Sequence, residues 1–236
     1  AGGNNKVMKD ISLIAFDADD TLWECQTYFE AVEKEYCELL KSYASADEIS
    51  KALFAVETAN MSLLGYGSKA FLLSLLENAI EVSGGRLKAD EVEKIIKLGK
   101  ELLQLPGKPM DGVEETLKVL HERGEYHLVV FTKGELLDQE NKFHRSGLKP
   151  YFDDIIVVSD KTEASYYQLC ERFSINVEQL LMVGNSFRSD IEPVLKLGGW
   201  AAHIPFHTTW QHEVIEEYEH PHLLKLEYFA QLKQVL

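Results

Sequence analysis

Ile14-Ala15-Phe16-Asp17-Ala18-Asp19-Asp20-Thr21-Leu22 is the stretch on which the fold turns. The residues leading into it, 11–16, are apolar except for Ser12, the continuous pattern of a buried strand. The run ends in three carboxylates within four positions. Acids at a strand tip repel one another and are poor strand formers, so they need a compensating cation or a chemical use. An acidic turn that caps a following helix accounts for one of them. It does not account for three. A metal-bound nucleophile site is the expectation from this stretch alone.

Downstream, residues 23–106 read as an all-helical block. Phe29, Val32, Tyr36, Leu39, Leu40 and Tyr43 recur at helical spacing over 27–43. Asp47 opens a second helix with Ile49, Leu53 and Val56 on one stripe, and Ser68 is the expected N-cap of a third. Gly84-Gly85 ends the third, and Asp90 is the expected cap of a fourth. From Asp111 the texture changes. A helix over 113–122 is followed by a strand over 126–131. Later strands are expected at 155–158, 179–183 and 200–204, with helices ending near Arg145, Phe173 and Leu197 between them. The last segment is less regular, with a short strand at 223–226 and a closing helix. Short, nearly continuous apolar strands alternating with helices specify a parallel sheet covered on both faces.

The expected architecture is therefore α/β: a three-layer, Rossmann-like parallel sheet core with an inserted all-helical domain. The core takes residues 6–22 and 107–236, and the insertion 23–106 follows the first strand, where it can sit as a lid over the ligand-binding edge. The opening Ala1-Gly2-Gly3-Asn4-Asn5 reads as a flexible or vector-derived tail.

The 236 residues carry 24 basic and 39 acidic side chains, a formal charge of −15. That field argues against nucleic acid as a partner. It also repels anionic substrates, so a phosphate site needs local cations. Cys25, Cys37 and Cys170 are odd in number and widely spaced, with neither a disulfide framework nor a zinc pattern. Free thiols, no apolar run the length of a membrane span and no signal-like opening lead to the expectation of a cytoplasmic protein away from membranes.

Right-handed crossovers bring every strand's C-terminal end to one edge, where ligands bind at a topological switch point. The first strand delivers Asp17, Asp19 and Asp20 there, and the second Thr132 and Lys133. The third gives Lys161, and the fourth Asn185, Ser186, Arg188 and Asp190. Carboxylates, a hydroxyl and lysines suit phosphoryl transfer through an aspartyl-phosphate, with magnesium and lysine offsetting charge on the phosphoryl oxygens. A carboxylate two residues after the nucleophile can protonate the leaving alkoxide and later deprotonate water.

These motifs resemble those of the haloacid dehalogenase superfamily of phosphohydrolases. An apolar strand followed by Asp-x-Asp-x-Thr appears as Asp17-Ala18-Asp19-Asp20-Thr21. Val129-Val130-Phe131-Thr132-Lys133-Gly134 matches the second motif, Lys161 the third, and Gly184-Asn185-Ser186-Phe187-Arg188-Ser189-Asp190 the fourth. The resemblance spans residues 13–204 and implies a nucleophile at Asp17 and a general acid/base at Asp19. It implies phosphate binding by Thr132, with Lys161 at the same phosphate site offsetting the charge of Asp17 and of the intermediate; Lys133, beside Thr132, is a further candidate phosphate contact by position. Magnesium would be held by Asp17, the Asp19 carbonyl and Asp190, with Asn185 beside them. The inserted helices look like the family's helical cap of the first type. One departure stands out: the family usually has Asp directly after the fourth-motif glycine. An amide oxygen at Asn185 still ligates magnesium but brings no charge, so weaker binding is expected.

Several residues have plainer explanations. Lys133 can be a surface residue opening a helix, Asp20 a capping group, and Arg188 the partner of a nearby acid. Trp23, Glu24, Tyr66 and Lys69 can pack rather than face substrate. His203, in an apolar strand, reads as a hydrogen-bonded core residue. The function expected is a magnesium-dependent phosphomonoester hydrolase acting on a small phosphorylated metabolite, as a monomer or homodimer. Phosphonate hydrolases and sugar phosphomutases share all four motifs. A haloacid dehalogenase would use the same Asp17 on carbon and need neither magnesium nor Asp19. A non-catalytic binding protein would have eroded motif acids, and only position 185 shows any erosion.

Overall fold

The computed structural model describes residues 8–236; the tail expected over 1–5, and residues 6 and 7 of the expected core, lie outside them. Six strands form one sheet: β1 (Leu13–Phe16), β2 (His127–Lys133), β3 (Asp154–Val158), β4 (Leu180–Gly184), β5 (Trp200–His203) and β6 (Leu223–Lys225). Their order is β3-β2-β1-β4-β5-β6, with every neighbouring pair parallel. The strand order reverses at β1, so the crevice beyond its C-terminal end is the ligand position of an open parallel sheet. Phe16 lies opposite Val130 on one side and Val183 on the other. Asp17, Thr132 and Asn185 therefore emerge close together.

Residues 25–106 form a second compact unit. The division leaves Trp23 and Glu24 with the sheet rather than with the helices, where sequence reading had put them. The unit is built from α1 (Gln26–Leu39), α2 (Ala46–Leu64), α3 (Ser68–Val82) and α4 (Ala89–Leu102) and carries no strand. Its core gathers Tyr36, Leu40, Ile49, Leu53, Leu75, Ala79, Ile95 and Leu102. Asn78, fully buried, donates to the Tyr36 hydroxyl at 3.0 Å and the Ile49 carbonyl at 3.3 Å, and Tyr36 donates to the Leu75 carbonyl at 2.7 Å. Three helices are thus registered by one neutral polar network. Two expected caps are displaced. Ser68 is the first buried residue of α3 and Gly67, at φ 133°, precedes it. At α4 the cap is Lys88, whose backbone N–H donates to the Glu91 carboxylate at 3.0 Å, so Asp90 lies inside the first turn.

In the sheet unit the strand period of two divides the apolar residues between faces. Ile14, Phe16, Leu128, Val130, Leu181 and Val183 pack with Val113, Leu117 and Leu120 of α5 (Val113–Arg123) and Phe143 of α6 (Leu136–Ser146). Leu13, Ala15, Val129, Phe131, Leu180 and Met182 pack with Tyr166, Leu169 and Cys170 of α7 (Glu163–Arg172) and with Val194 of α8 (Glu192–Leu197). This is the three-layer arrangement expected. β2 runs two residues beyond its expected end, because its ladder with β3 continues through Lys133 opposite Val158. The helix expected over 191–197 begins one residue later, after a single wide π turn at Phe187–Ile191. The carboxy-terminal helix is reduced to α9 (Leu232–Val235) after a 3-10 turn. Among the described residues no helix is long and apolar enough to cross a membrane.

Candidate active site

Asp17 continues the β1 ladder by one bond, its N–H donating to the Val183 carbonyl at 2.9 Å, and its side chain is almost fully buried. Lys161 donates to Asp17 Oδ1 at 2.6 Å and to Asp190 Oδ1 at 2.7 Å, and Thr21 donates to Asp17 Oδ2 at 3.0 Å. One lysine therefore serves two buried acids. Burial, and then the Asp190 charge, outweigh Lys161 and push the Asp17 carboxyl up to about 7. Asp190 Oδ2 accepts the Ser186 N–H at 3.0 Å, a contact made possible by the wide turn after β4. A Cβ on Gly184 would overlap the Asp190 carboxylate, which is why only glycine serves there.

The fourth-strand amide closes the other side. One end of the Asn185 amide lies 2.8 Å from Asp17 Oδ2, 3.2 Å from the Asp19 carbonyl oxygen and 3.2 Å from Thr21 Oγ1. Turned nitrogen-inward, it donates to all three; turned oxygen-inward, it joins an all-oxygen cluster. Ligands at right angles on an octahedral magnesium ion, about 2.1 Å from it, stand about 3 Å apart. Asp17, the Asp19 carbonyl and Asn185 therefore fit a small hard cation. Among the described residues no three His, Cys, Asp or Glu side chains gather as a metal cage. The donors here are of mixed type instead. Asp190 was also expected among the ligands; its Oδ2 accepts the Ser186 N–H, and its Oδ1 accepts from the Lys161 that it shares with Asp17.

Asp19 points elsewhere. Its Oδ1 accepts from Lys142 at 2.7 Å and from the Trp23 indole at 3.0 Å, and its Oδ2 accepts from Gln139 at 2.9 Å. Burial alone would raise its carboxyl, but Lys142, Gln139 and Trp23 overcome it and hold the group below the usual carboxylate range. Gln139 Nε2 also reaches Thr132 Oγ1 at 2.9 Å and the Lys133 carbonyl at 3.1 Å. Thr132 thus accepts from within the protein, and its own hydroxyl hydrogen can be given to a substrate oxygen.

Lys133 is not directed as expected for a phosphate contact. It donates to Ser189 Oγ at 3.0 Å, pairs with Glu213 and stands 4.0 Å from Asp160. Glu213, from a short turn near the carboxy terminus, also accepts from Ser186 at 2.9 Å and Ser189 at 2.6 Å. A buried acid supplied by a remote segment thus takes up the lysine's charge. Asp20 adopts φ 65° and donates its N–H to the Trp23 carbonyl at 2.7 Å, a turn-forming role. Arg188 donates to the His212 carbonyl rather than to an acid, and His203 Nε2 lies 3.0 Å from the Asn185 carbonyl, as a hydrogen-bonded core residue. Tyr66 and Lys69 belong to the helical unit.

Sequence reasoning missed Gln139, Lys142 and Glu213. A signal for the first two existed in α6, where Leu136 and Leu137 are 58% and 61% exposed while Asp138, Gln139 and Lys142 are 7%, 2% and 2% exposed. That helix turns polar residues inward. No such signal marks Glu213.

Comparison with known proteins places this geometry. A family model described as haloacid dehalogenase-like hydrolase matches residues 11–198. A curated relative, haloacetate dehalogenase H-2 of Moraxella sp. (strain B), is 27% identical over 185 residues, covering 76% of this chain and 79% of its own. The crystal structure of a haloacid dehalogenase-like family hydrolase from Xanthomonas campestris superposes with a TM-score of 0.86 at 33% identity, covering 96% of this chain and 92% of that one. A predicted phosphoglycolate phosphatase from Haemophilus somnus 129PT shares the fold, with a TM-score of 0.62 at 18% identity over 97% of this chain and 99% of its own.

Proposed function

We propose that this chain, which belongs to the haloacid dehalogenase-like hydrolase family, is a magnesium-dependent phosphomonoester hydrolase acting on a small cytoplasmic metabolite. The observation that carries the reading is the pairing of Asp17 and the Asn185 amide in an oxygen cluster fit for a divalent cation, with a second carboxylate, Asp19, two residues on. When bound, magnesium would offset negative charge on the phosphoryl oxygens.

The residues then divide the work. An Asp17 oxygen forms a bond to phosphorus as the ester oxygen leaves with its electron pair and takes the proton of the Asp19 carboxylic acid. Lys161 and the Thr132 hydroxyl hold the transferred group's oxygens. Water next attacks the aspartyl-phosphate, giving its proton to Asp19, and the phosphorus–Asp17 bond breaks to restore the carboxylate. Held as an anion, Asp19 is poised for this second, base-catalysed step. To deliver a proton to a leaving alkoxide it must first take one up against the pull of Lys142.

A second reading is haloacid hydrolysis at carbon, favoured by the curated dehalogenase relative and by the uncharged Asn185. There Asp17 would displace halide, which leaves without a proton, and Asp19 would have no task. A screen of phosphorylated metabolites with magnesium, run beside chloroacetate and 2-chloropropionate, separates the two. Phosphate release that vanishes in Asp17→Asn is expected. Halide release with no phosphate release from any monoester would sink the phosphatase reading.

A further inference from the structure

The polar face of α6 has no explanation in stability. Asp138, Gln139 and Lys142 occupy positions where a helix against a sheet ordinarily buries apolar side chains, while its two leucines face water. The arrangement leaves buried acceptors unsatisfied: neither Asp138 Oδ1 nor Gln139 Oε1 has a hydrogen-bond partner among the described residues. Orphaned polar groups on the buried face of a helix are costly, and natural sequences keep such conflicts mainly where function requires them.

What those residues touch is specific. Lys142, 3.8 Å from Asp138, gives its short contact of 2.7 Å to Asp19 Oδ1. Gln139, one turn earlier on the same helix, donates from a single amide nitrogen to Asp19 Oδ2 and to Thr132 Oγ1, both at 2.9 Å. The proton-transfer carboxylate and the phosphate-binding hydroxyl are thereby tied to one atom. The backbone at Lys142 is anchored as well: Gly107, at φ 63°, packs so tightly on the Lys142 carbonyl that an added Cβ would come within 2.8 Å of it.

We propose that Lys142 and Gln139 are positioning residues for Asp19, Lys142 fixing one carboxylate oxygen and Gln139 setting the distance of the other from the Thr132 hydroxyl. Neither touches the reacting atoms. The inference rests on the phosphatase reading for the step it serves.

Asp19→Asn, Lys142→Met, Lys142→Arg, Gln139→Leu and the Asp19→Asn/Lys142→Met double variant test it. The assay follows phosphate release from the best alkyl monoester found for the unmutated protein, with magnesium present. Lys142→Met is expected to lower kcat by about a hundredfold, in the range for loss of positioned acid–base catalysis, with KM within about twofold. Lys142→Arg, which still donates to a carboxylate, should recover part of the loss. Gln139→Leu should show the same split between kcat and KM, about tenfold in kcat, and it decides the matter if Lys142→Met fails to fold. In the Asp19→Asn background Lys142→Met should cost almost nothing further, since both act through one group. Multiplicative losses in the double variant, or losses appearing in KM with kcat kept, would overturn the assignment while the unmutated protein's activity upholds the phosphatase reading. No phosphate release by the unmutated protein overturns both.

Discussion

Among the described residues two lysines are buried in the sheet unit, and each stands between two aspartates with opposite results. Lys161 divides itself evenly, 2.6 Å from Asp17 and 2.7 Å from Asp190. Lys142 divides itself unevenly, 2.7 Å from Asp19 and 3.8 Å from Asp138. Asp19 is held below the usual carboxylate range, and Asp138 is pushed above it by burial and by Asp19 despite Lys142. The α6 site thus holds one strong pair and one acid whose carboxyl is raised by burial. At the sheet edge neither acid has the lysine to itself, and Asp17 rises to about 7. An even split leaves a charge deficit that a second cation can fill, and the oxygen cluster around Asn185 lies against Asp17 on the side away from Lys161. On the proposed reading, a lysine shared equally by two acids leaves room for a second cation, whereas one committed to a single acid holds that acid as a base.

The comparison can be broken most directly at Lys161. Lys161→Met leaves Asp17 and Asp190 buried without their cation, and should destabilise the protein by roughly 3–5 kcal/mol in urea unfolding. It should also slow phosphate release by about a thousandfold. A variant within about 1 kcal/mol of the unmutated protein would show that the two acids are not charged together.

A smaller effect follows from Asp17. Its raised carboxyl means the folded chain binds a proton more tightly than the unfolded one between about pH 3.8 and 7. The stability that this proton supplies is complete below that window and is lost as the pH rises through it. In metal-free buffer the unmutated protein should therefore lose melting temperature relative to Asp17→Asn between pH 5 and pH 8. Added magnesium should recover more at pH 8 than at pH 5, since metal displaces the proton. Parallel curves for the two proteins would remove the deficit from the sheet edge.

Asn185→Asp should have the mildest consequence. Adding a charge to the oxygen cluster should lower the magnesium concentration for half-maximal activity by roughly fivefold. An unchanged requirement would place the cation away from residue 185.

These differences also explain what could be read from the chain alone. A β1 run of apolar residues ending in acids announces a parallel strand and a site together, because charges at the end of a buried strand need partners or a use. Lys161 and Asp190 follow from that logic, as each stands just beyond a strand. Lys142 does not. It lies mid-helix, 123 residues from Asp19 in sequence, and only the reversed polarity of α6 marks it. Glu213 is harder still: one of several acids in an irregular segment, 80 residues from Lys133, it has no periodicity against which to stand out. The pairing of Lys133 with Glu213 was not legible for that reason, since this partner comes from a part of the chain that propensity does not organise. The helix caps expected at Ser68 and Asp90 lie inside the first turn instead, after Gly67 in one helix and Lys88 in the other.

The chain leaves the sheet unit through Trp23 and returns through Pro109, and these two residues pair as an antiparallel bridge. Beside them the Met110 N–H donates to the Leu22 carbonyl at 2.9 Å. Outgoing and incoming strands are thus stitched together before the inserted segment begins. To the sheet, residues 25–106 amount to one closed loop, and doubling the length of a closed loop costs only about 0.6 kcal/mol. Such a junction lets the insert be lengthened, shortened or exchanged over evolutionary time while the chemistry at β1 stays in register.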